Sequence, residues 1–531
     1  MSPSQQKQTG SFYTEGKVAE TVVNWAIRNA DDKVLEPSFG DGVFIEKALT
    51  RFAELGSAMP RITAIEIQPS VAERVRPLFP NKTLHTMTAD FLSLPQMGDH
   101  DVVIGNPPYV GLKNLPREQV VTARKVIDRY NVHCPNNGSL WFPFVLHAMA
   151  MLRDHGRLAF VLPFEITYAR YATGLWEILA RNFSTLTLCR VHEDFFPNVD
   201  VETILLLADG KGGVTSNVNY ALFRTVSDLL NDISSQNITI PVETILATEK
   251  PFVSHLLSEK QQEMLRGLYD KRIVKPVIES CKFKIGYVSA DKAYFHPAKD
   301  VVTHYSLSKE NLHSCILNAK EINGGTGIGI EVSEGQCAST LFLPKNISEG
   351  ERLYIQSGEM QGVHRRYKCR QRDPWYVTPH IEIPDVILSV FGENPKLIVN
   401  KGKYAVSNSL LCGRLKNENV TPFACRWYNS LTLLSIELNV HSLGGGSFVI
   451  IPGEADKLDI AAPLPPDNVS NIYARLDTAL KTSGTETAYL LGDKLVLQDI
   501  FNLSDKDIRV IRQAIATLRQ WRSPTARRTR R

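Results

Sequence analysis

The stretch Asp101-Val-Val-Ile-Gly105-Asn106-Pro107-Pro108-Tyr109 decides how this chain is read. Its first five residues are an apolar, β-branched run of the kind that forms a buried parallel strand. Asn106 to Tyr109 then falls at the carboxyl end of that strand, where open α/β sheets hold their ligands. Two consecutive prolines restrict the backbone there. An amide side chain, a carbonyl oxygen and an aromatic ring are thereby presented in one geometry, which suits gripping an exocyclic amino group on a flat ring. Asn and Pro also cluster in ordinary turns, so the weight lies on three related elements upstream.

The first is Lys33-Val-Leu-Glu36-Pro37, a strand running into Ser38-Phe-Gly40-Asp-Gly42-Val-Phe44. Gly40 and Gly42 permit a tight turn and close backbone approach to a ligand before a helix that begins near Val43. The spacing is not the G-x-G-x-x-G of dinucleotide binding, so a nicotinamide cofactor is not expected. The second, Ile62-Thr-Ala-Ile-Glu66-Ile67, carries an acid at its tip, placed to accept hydrogen bonds from ribose hydroxyls. In the third, Met87-Thr-Ala-Asp90-Phe91, the carboxylate suits an adenine amino group and the ring suits its face. Taken singly, Glu66 is a surface acid, Asp90 a turn residue and the glycines a plain turn. In this order they describe a nucleoside pocket beside an amine-gripping pocket.

With these residues in place, positions 9 to about 210 resemble the catalytic domain of the γ-class, amino-type DNA methyltransferases, TaqI-methylase-like, that use S-adenosyl-L-methionine. The resemblance begins at Gly10-Ser-Phe-Tyr-Thr14, which in that family closes over the methionine end of the cofactor. It continues through Glu36-Pro37, Gly40, Gly42, Glu66-Ile67, Asp90-Phe91 and Asn106-Pro107-Pro108-Tyr109. Ser139-Leu-Trp-Phe-Pro-Phe144 resembles the helix beside the adenine pocket, and Gly156 to Pro163 the fifth strand. Phe195-Phe196-Pro197 resembles the hairpin whose aromatic lies over an extruded base, with Phe196, directly before the proline, as that aromatic. Phe39, Glu15 and Ser139 depart from the family's usual residues, and Ser139 weakens any cofactor carboxylate from that helix.

The resemblance implies an α/β fold: a Rossmann-like class I methyltransferase domain over 1–250, then a mixed α+β target-recognition domain over 251–531. It implies transfer of a methyl group to adenine N6 in double-stranded DNA, by base flipping. The partners implied are the DNA and a separately encoded restriction endonuclease, and no metal is called for. The same tetrapeptide serves enzymes that methylate a protein glutamine or an RNA amine. Cytosine N4 methylation is chemically close, although that group more often has Ser before Pro-Pro-Tyr. The additional half-chain after residue 210 favours DNA.

Length and composition agree. At 531 residues the chain holds more than one domain, and 43% hydrophobic with 22% charged residues is ordinary for a globular protein. There is no apolar run of membrane length, and Met1-Ser-Pro-Ser-Gln-Gln-Lys7 is neither a signal nor a transit peptide, so a cytoplasmic monomer is expected. The eight cysteines include no C-x-x-C pair, which speaks against a zinc site and a disulfide framework. A domain change is expected near Asp209 to Gly213, with 217–250 as a peripheral hairpin and linker. Ser258 with Gln261 reads as a capping box.

A net charge of +4 is small for a DNA binder, so the distribution of charge matters. The stretch from His364 to Tyr376 interleaves Arg365, Arg366, Lys368, Arg370 and Arg372 with Tyr367, Trp375 and Tyr376, which suits phosphate and groove contacts. Lys282, Lys284 and Lys292 around a turn at Gly286-Tyr287 form a second basic candidate, the loop His441 to Ser447 a third element. Arg519, Arg522 and the last arginines read as a basic tail.

Overall fold

A computed structural model describes residues 14–79, 84–191, 202–231, 237–248, 250–323, 326–331, 339–440 and 448–522. The chain divides into two compact units, one ending at Leu256 and the other running from Leu257 to Arg522.

The first unit is built on a nine-stranded sheet. Its strands are β1 (Lys33–Glu36), β2 (Arg61–Glu66), β3 (Leu84–Thr88), β4 (His100–Gly105), β5 (Leu152–Pro163), β6 (Phe183–Val191), β7 (Thr203–Lys211), β8 (Asn217–Phe223) and β9 (Asn237–Pro241). The spatial order is β3-β2-β1-β4-β5-β7-β6-β8-β9. β3, β2, β1, β4 and β5 run parallel. β7 inserts antiparallel between β5 and β6.

The pleat explains the layers. Along β4, Val103 turns to one face while Val102 and Ile104 turn to the other. Helices α1 (Gly16–Ala26) and α2 (Val43–Glu54) cover the second face with Val18, Val22, Phe44 and Phe52. After α3 (Pro69–Val75), helices α4 (Arg117–Arg129) and α5 (Trp141–Met151) cover the first face with Val126, Ile127, Trp141 and Phe142. All six residues of β4 are buried, as a central strand covered on both faces requires. Chain direction through the sheet reverses between β1 and β4, so their carboxyl ends open the crevice where such sheets hold ligands.

β8 and β9 form the expected antiparallel pair at the sheet's edge, but they belong to the main sheet instead of standing apart from it. β8 lies parallel to β6 and β9 antiparallel to β8, extending the central sheet, because Val218, Tyr220 and Ile240 are apolar positions buried against its core.

The second unit mixes small sheets with helices. Strands Cys281–Ile285, Leu410–Leu415, Val386–Ser389 and Leu397–Val399 form a four-stranded sheet. Ser339–Phe342, Leu312–Ile316 and Ala405–Val406 form another. Helix Glu259–Asp270 starts at the Ser258/Gln261 capping box. Lys282 and Lys284 stand on a strand, not in a turn, and pair with Asp456 and Glu382 at 3.0 and 2.8 Å. Arg519 and Arg522 are not tail residues either. They end helix Asp505–Arg522 and close on Glu437, each Nε 2.8 Å from a carboxylate oxygen that only 1% of the side chain exposes. A buried carboxylate needs such partners. The arginines after Ser523 and the loop His441 to Ser447 lie outside the described residues.

Candidate functional site

β1 ends in Glu36 and feeds the turn Ser38 to Gly42. Gly42 caps α2 with φ of 86°, a left-handed conformation that favours glycine. A Cβ there would stand 2.6 Å from Phe79 Cε2 and 3.0 Å from Val75 Cγ1. Gly42→Ala is therefore expected to lose roughly 2 kcal/mol from backbone strain and more from crowding. A urea-unfolding midpoint equal to that of the parent would show that the turn relaxes without penalty.

The tips of β1, β2, β3 and β4 surround one cavity of about 290 Å³. Thr14, Glu36, Pro37, Gly40, Glu66, Ile67, Asp90, Phe91, Asn106 and Pro108 all line it. Gly42, Pro107 and Tyr109 do not line it; Gly42 shapes the turn instead. Phe196 lies outside the described residues, beyond the end of β6.

Glu36 is 1% exposed, and among the described residues neither carboxylate oxygen has a hydrogen-bond partner. Burial raises its pKa well above the ordinary carboxylate value, and the neighbouring Asp41 and Glu66 add to the rise. Glu66 is better served. Its Oε1 accepts from the Gln68 N–H at 2.9 Å and its Oε2 from the Gly40 N–H at 3.2 Å, while burial pushes its pKa up. Asp90 Oδ1 accepts the Leu92 N–H at 3.1 Å, and burial raises this carboxyl too. The two Glu36 oxygens thus meet no cation or donor among the described residues, and a cationic ligand with hydrogen-bonding protons is what they would take.

At the other end of the wall, Asn106 Nδ2 donates to Thr14 Oγ1 at 3.2 Å, and Ser38 Oγ donates to the Asn106 carbonyl at 3.2 Å. The first bond orients the side-chain amide and the second fixes the backbone carbonyl. The Tyr109 hydroxyl donates to the Val161 carbonyl at 2.9 Å, which ties the ring to β5. Phe91 is buried, with Phe144 at 5.1 Å and the edge of His147 at 4.7 Å between ring centroids. Burial lowers the His147 pKa to about 4, so that ring is neutral against Phe91 at neutral pH.

Sequence reading did not single out Phe44, Leu140 or Gln119, which also line the cavity. Phe44 and Leu140 look like core residues in the sequence. Gln119 had a usable signal, a polar side chain one turn ahead of Ala123 on the apolar stripe of α4.

In the second unit the basic stretch splits into two kinds of residue. It forms two short turns, Val363–Arg365 and Cys369–Gln371. Arg365, Lys368 and Arg370 are exposed; Arg366 is exposed and pairs with Asp291 at 2.8 Å. Arg372 and Trp375 point into the unit. The Arg372 guanidinium donates to the Val288 carbonyl and, at 3.3 Å, to that of Ser289, and lies 5.5 Å over the Phe295 ring. Trp375 packs 5.3 Å from Tyr294 and donates to Glu359 at 3.2 Å, with Tyr376 edge-on to it at 5.8 Å.

Two family models match this chain. That of the Eco57I restriction-modification methylase covers residues 65–196, and that of the C-terminal domain of Type II methyltransferase M.Eco57I covers residues 249–497. Type II methyltransferase M.AccI of Acinetobacter calcoaceticus is 22% identical over 411 residues, 73% of this chain and 72% of that protein. Type II methyltransferase M.HincII of Haemophilus influenzae is 24% identical over 221 residues, so the match spans 41% of this chain and 40% of that protein. Among solved structures, the Type IIL restriction-modification enzyme MmeI in complex with DNA shares the fold, with TM-score 0.56, 11% identity and coverage of 95% of this chain and 75% of that one. With a strand-tip cavity on a mostly parallel sheet, Asn106 and Pro108 of the tetrapeptide in its wall, and restriction-modification methylase models matching residues 65–196 and 249–497, this chain stands among the restriction-modification DNA methyltransferases.

Proposed function

We propose that this chain transfers the methyl group of S-adenosyl-L-methionine to the N6 amino group of adenine at a specific site in double-stranded DNA. The observation that carries the proposal is one cavity joining the Glu36 carboxylate, buried and without a partner among the described residues, to Asn106 of the amine-gripping tetrapeptide. The cofactor fits the donor set: its ammonium answers Glu36, its ribose the remaining lone pairs of Glu66, and its adenine amino group Asp90. When bound, it supplies an electrophilic methyl group on a sulfonium.

The chain's own residues do the rest. Adenine N6 is a poor nucleophile because its lone pair is delocalised into the ring. Asn106 Oδ1 and the Pro107 carbonyl each accept one N–H of that amine, which draws the nitrogen towards tetrahedral geometry and directs its lone pair at the methyl carbon. As the N–C bond forms, the methyl–sulfur bond would break and leave a neutral thioether; the extra proton on nitrogen becomes acidic and leaves to solvent, so no strong base is required beforehand. Positioning and hydrogen bonding aimed at the transition state carry the acceleration. The target base must leave the duplex, at a few kcal/mol. Stacking on Tyr109 and Phe196 recovers about 1–3 kcal/mol per aromatic contact.

Arg365, Arg366, Lys368 and Arg370 are taken as phosphate contacts, with Arg372, Trp375 and Tyr376 as the scaffold that presents them. Replacing Arg365, Lys368 and Arg370 together by alanine is expected to weaken DNA binding and reduce the slope of log K against log salt by roughly 2–3. An unchanged slope would remove this surface from the DNA interface. We take the chain to act as a cytoplasmic monomer beside a separately encoded restriction endonuclease.

The deciding experiment is transfer of a labelled methyl group to unmethylated duplex DNA, followed by separation of the nucleosides. Label in N6-methyladenine is expected. Label in N4-methylcytosine would keep the mechanism and change the base, whereas label only in RNA or in protein glutamine would overturn DNA as substrate.

A further inference from the structure

Helix α4 buries Ala123, Val126 and Ile127, the i, i+3, i+4 stripe of an amphipathic helix. One turn earlier the same stripe carries Gln119. A core-facing stripe calls for an apolar residue at such a position, and places where a local rule is broken are where function is sought. Gln119 is half-buried and lines the cavity. Among the described residues its side-chain amide makes no hydrogen bond. α4 packs against the short turn Phe91–Ser93 that follows Asp90, so Gln119 belongs to the part of the wall formed by Asp90, Phe91 and Phe144. That part is aromatic and apolar, with Leu115 and Leu140 adding to it, and its polar side chains include Asp90 and Gln119.

Flat apolar walls with an acceptor and an amide nearby describe a slot for a purine that carries an amino group. We propose that Gln119 is a specificity-determining residue that reads the N6/N7 edge of the cofactor's adenine. Its Oε1 accepts one N6 hydrogen while its Nε2 donates to N7, the bidentate pairing that glutamine makes with adenine. Asp90 takes the other N6 hydrogen. A purine with oxygen in place of the amino group would set an acceptor against both the Asp90 carboxylate and Gln119 Oε1. This inference rests on the assignment of the cavity to S-adenosyl-L-methionine.

The test is calorimetric binding of S-adenosyl-L-homocysteine and its 7-deaza analogue to the full chain, as the parent and as Gln119→Leu. Leucine keeps the side-chain volume and the helix propensity of α4. Loss of N7 is expected to weaken binding to the parent about 10-fold, the size of one lost hydrogen bond. The same change in ligand is expected to alter binding to Gln119→Leu by less than about 2-fold. Gln119→Glu, which keeps the shape but loses the N–H donor, is expected to be equally indifferent to N7. An equal 7-deaza penalty in the parent and both variants, or none in the parent, would overturn the role of Gln119. A parent that fails to bind S-adenosyl-L-homocysteine at all would instead overturn the cofactor assignment, and the inference with it.

Discussion

Replacing Asn106 by alanine is expected to lower the single-turnover rate of methyl transfer by at least ~10²-fold, the usual loss when one preorganised transition-state hydrogen bond is removed. Cofactor and DNA binding should stay within a few-fold. The contrast follows from what the amide does. Its Nδ2 already donates to Thr14, which orients the group; its oxygen is assigned to the target amine, whose geometry changes only as the N–C bond forms. An interaction made chiefly in the transition state appears in kcat and hardly in KM. Asn106→Asp keeps an acceptor and should retain part of the rate. Full activity in Asn106→Ala would end the amine-gripping role, and a loss confined to KM would make Asn106 a binding residue only.

Glu36→Gln is expected to act in opposite directions on stability and on ligand binding. Glu36 is buried with no hydrogen-bond partner among the described residues, and its pKa in the folded chain is well above the ordinary value. The folded chain therefore holds this proton to higher pH than the unfolded chain does. At low pH both states are protonated and burial carries no ionisation penalty. Above the unfolded carboxylate value of about 4.3 the unfolded state ionises first, so stability falls with rising pH until the raised folded pKa is passed. Glutamine removes that penalty. Glu36→Gln should be more stable than the parent in urea at neutral pH and not at pH 4.

Cofactor binding should show the reverse. A carboxylate facing an ammonium is worth roughly 1.5–3 kcal/mol as a charge-assisted hydrogen bond, so Glu36→Gln should bind S-adenosyl-L-homocysteine about 10- to 100-fold less tightly. The parent should release protons on binding at pH values below the raised pKa, measured by calorimetry in buffers of different ionisation enthalpy. Equal affinity in the two proteins, or a variant less stable than the parent at neutral pH, would make Glu36 a structural residue.

The parts of the cavity that are legible in sequence share one property. Glu36, Glu66, Asp90 and Asn106 each follow a short apolar strand directly, and a strand's tip is a local fact that neighbouring residues reveal. Gly40 and Gly42 were equally visible, but only the structure separates them: Gly40 lines the cavity, and Gly42 serves the turn because Phe79, far along the chain, occupies the space its side chain would need. The Ser258/Gln261 capping box is likewise readable from near neighbours.

Other features had no local signature. The basic stretch from Arg365 to Tyr376 looks uniform in sequence, yet Arg372 is taken up by the Val288 and Ser289 carbonyls and Trp375 by Tyr294 and Glu359. Arg519 and Arg522 read as the start of a basic tail until Glu437 is seen between them. That the β8–β9 pair continues the main sheet shows only when β8 is found beside β6. By itself the sequence determined the succession of strands and the chemistry at their tips, since hydrophobic period and turn residues act over a few positions. Which charges face solvent, which strand lies beside which, and that the stripe of α4 turns Gln119 towards the cavity were decided only by the tertiary structure, because burial and pairing depend on partners far away along the chain.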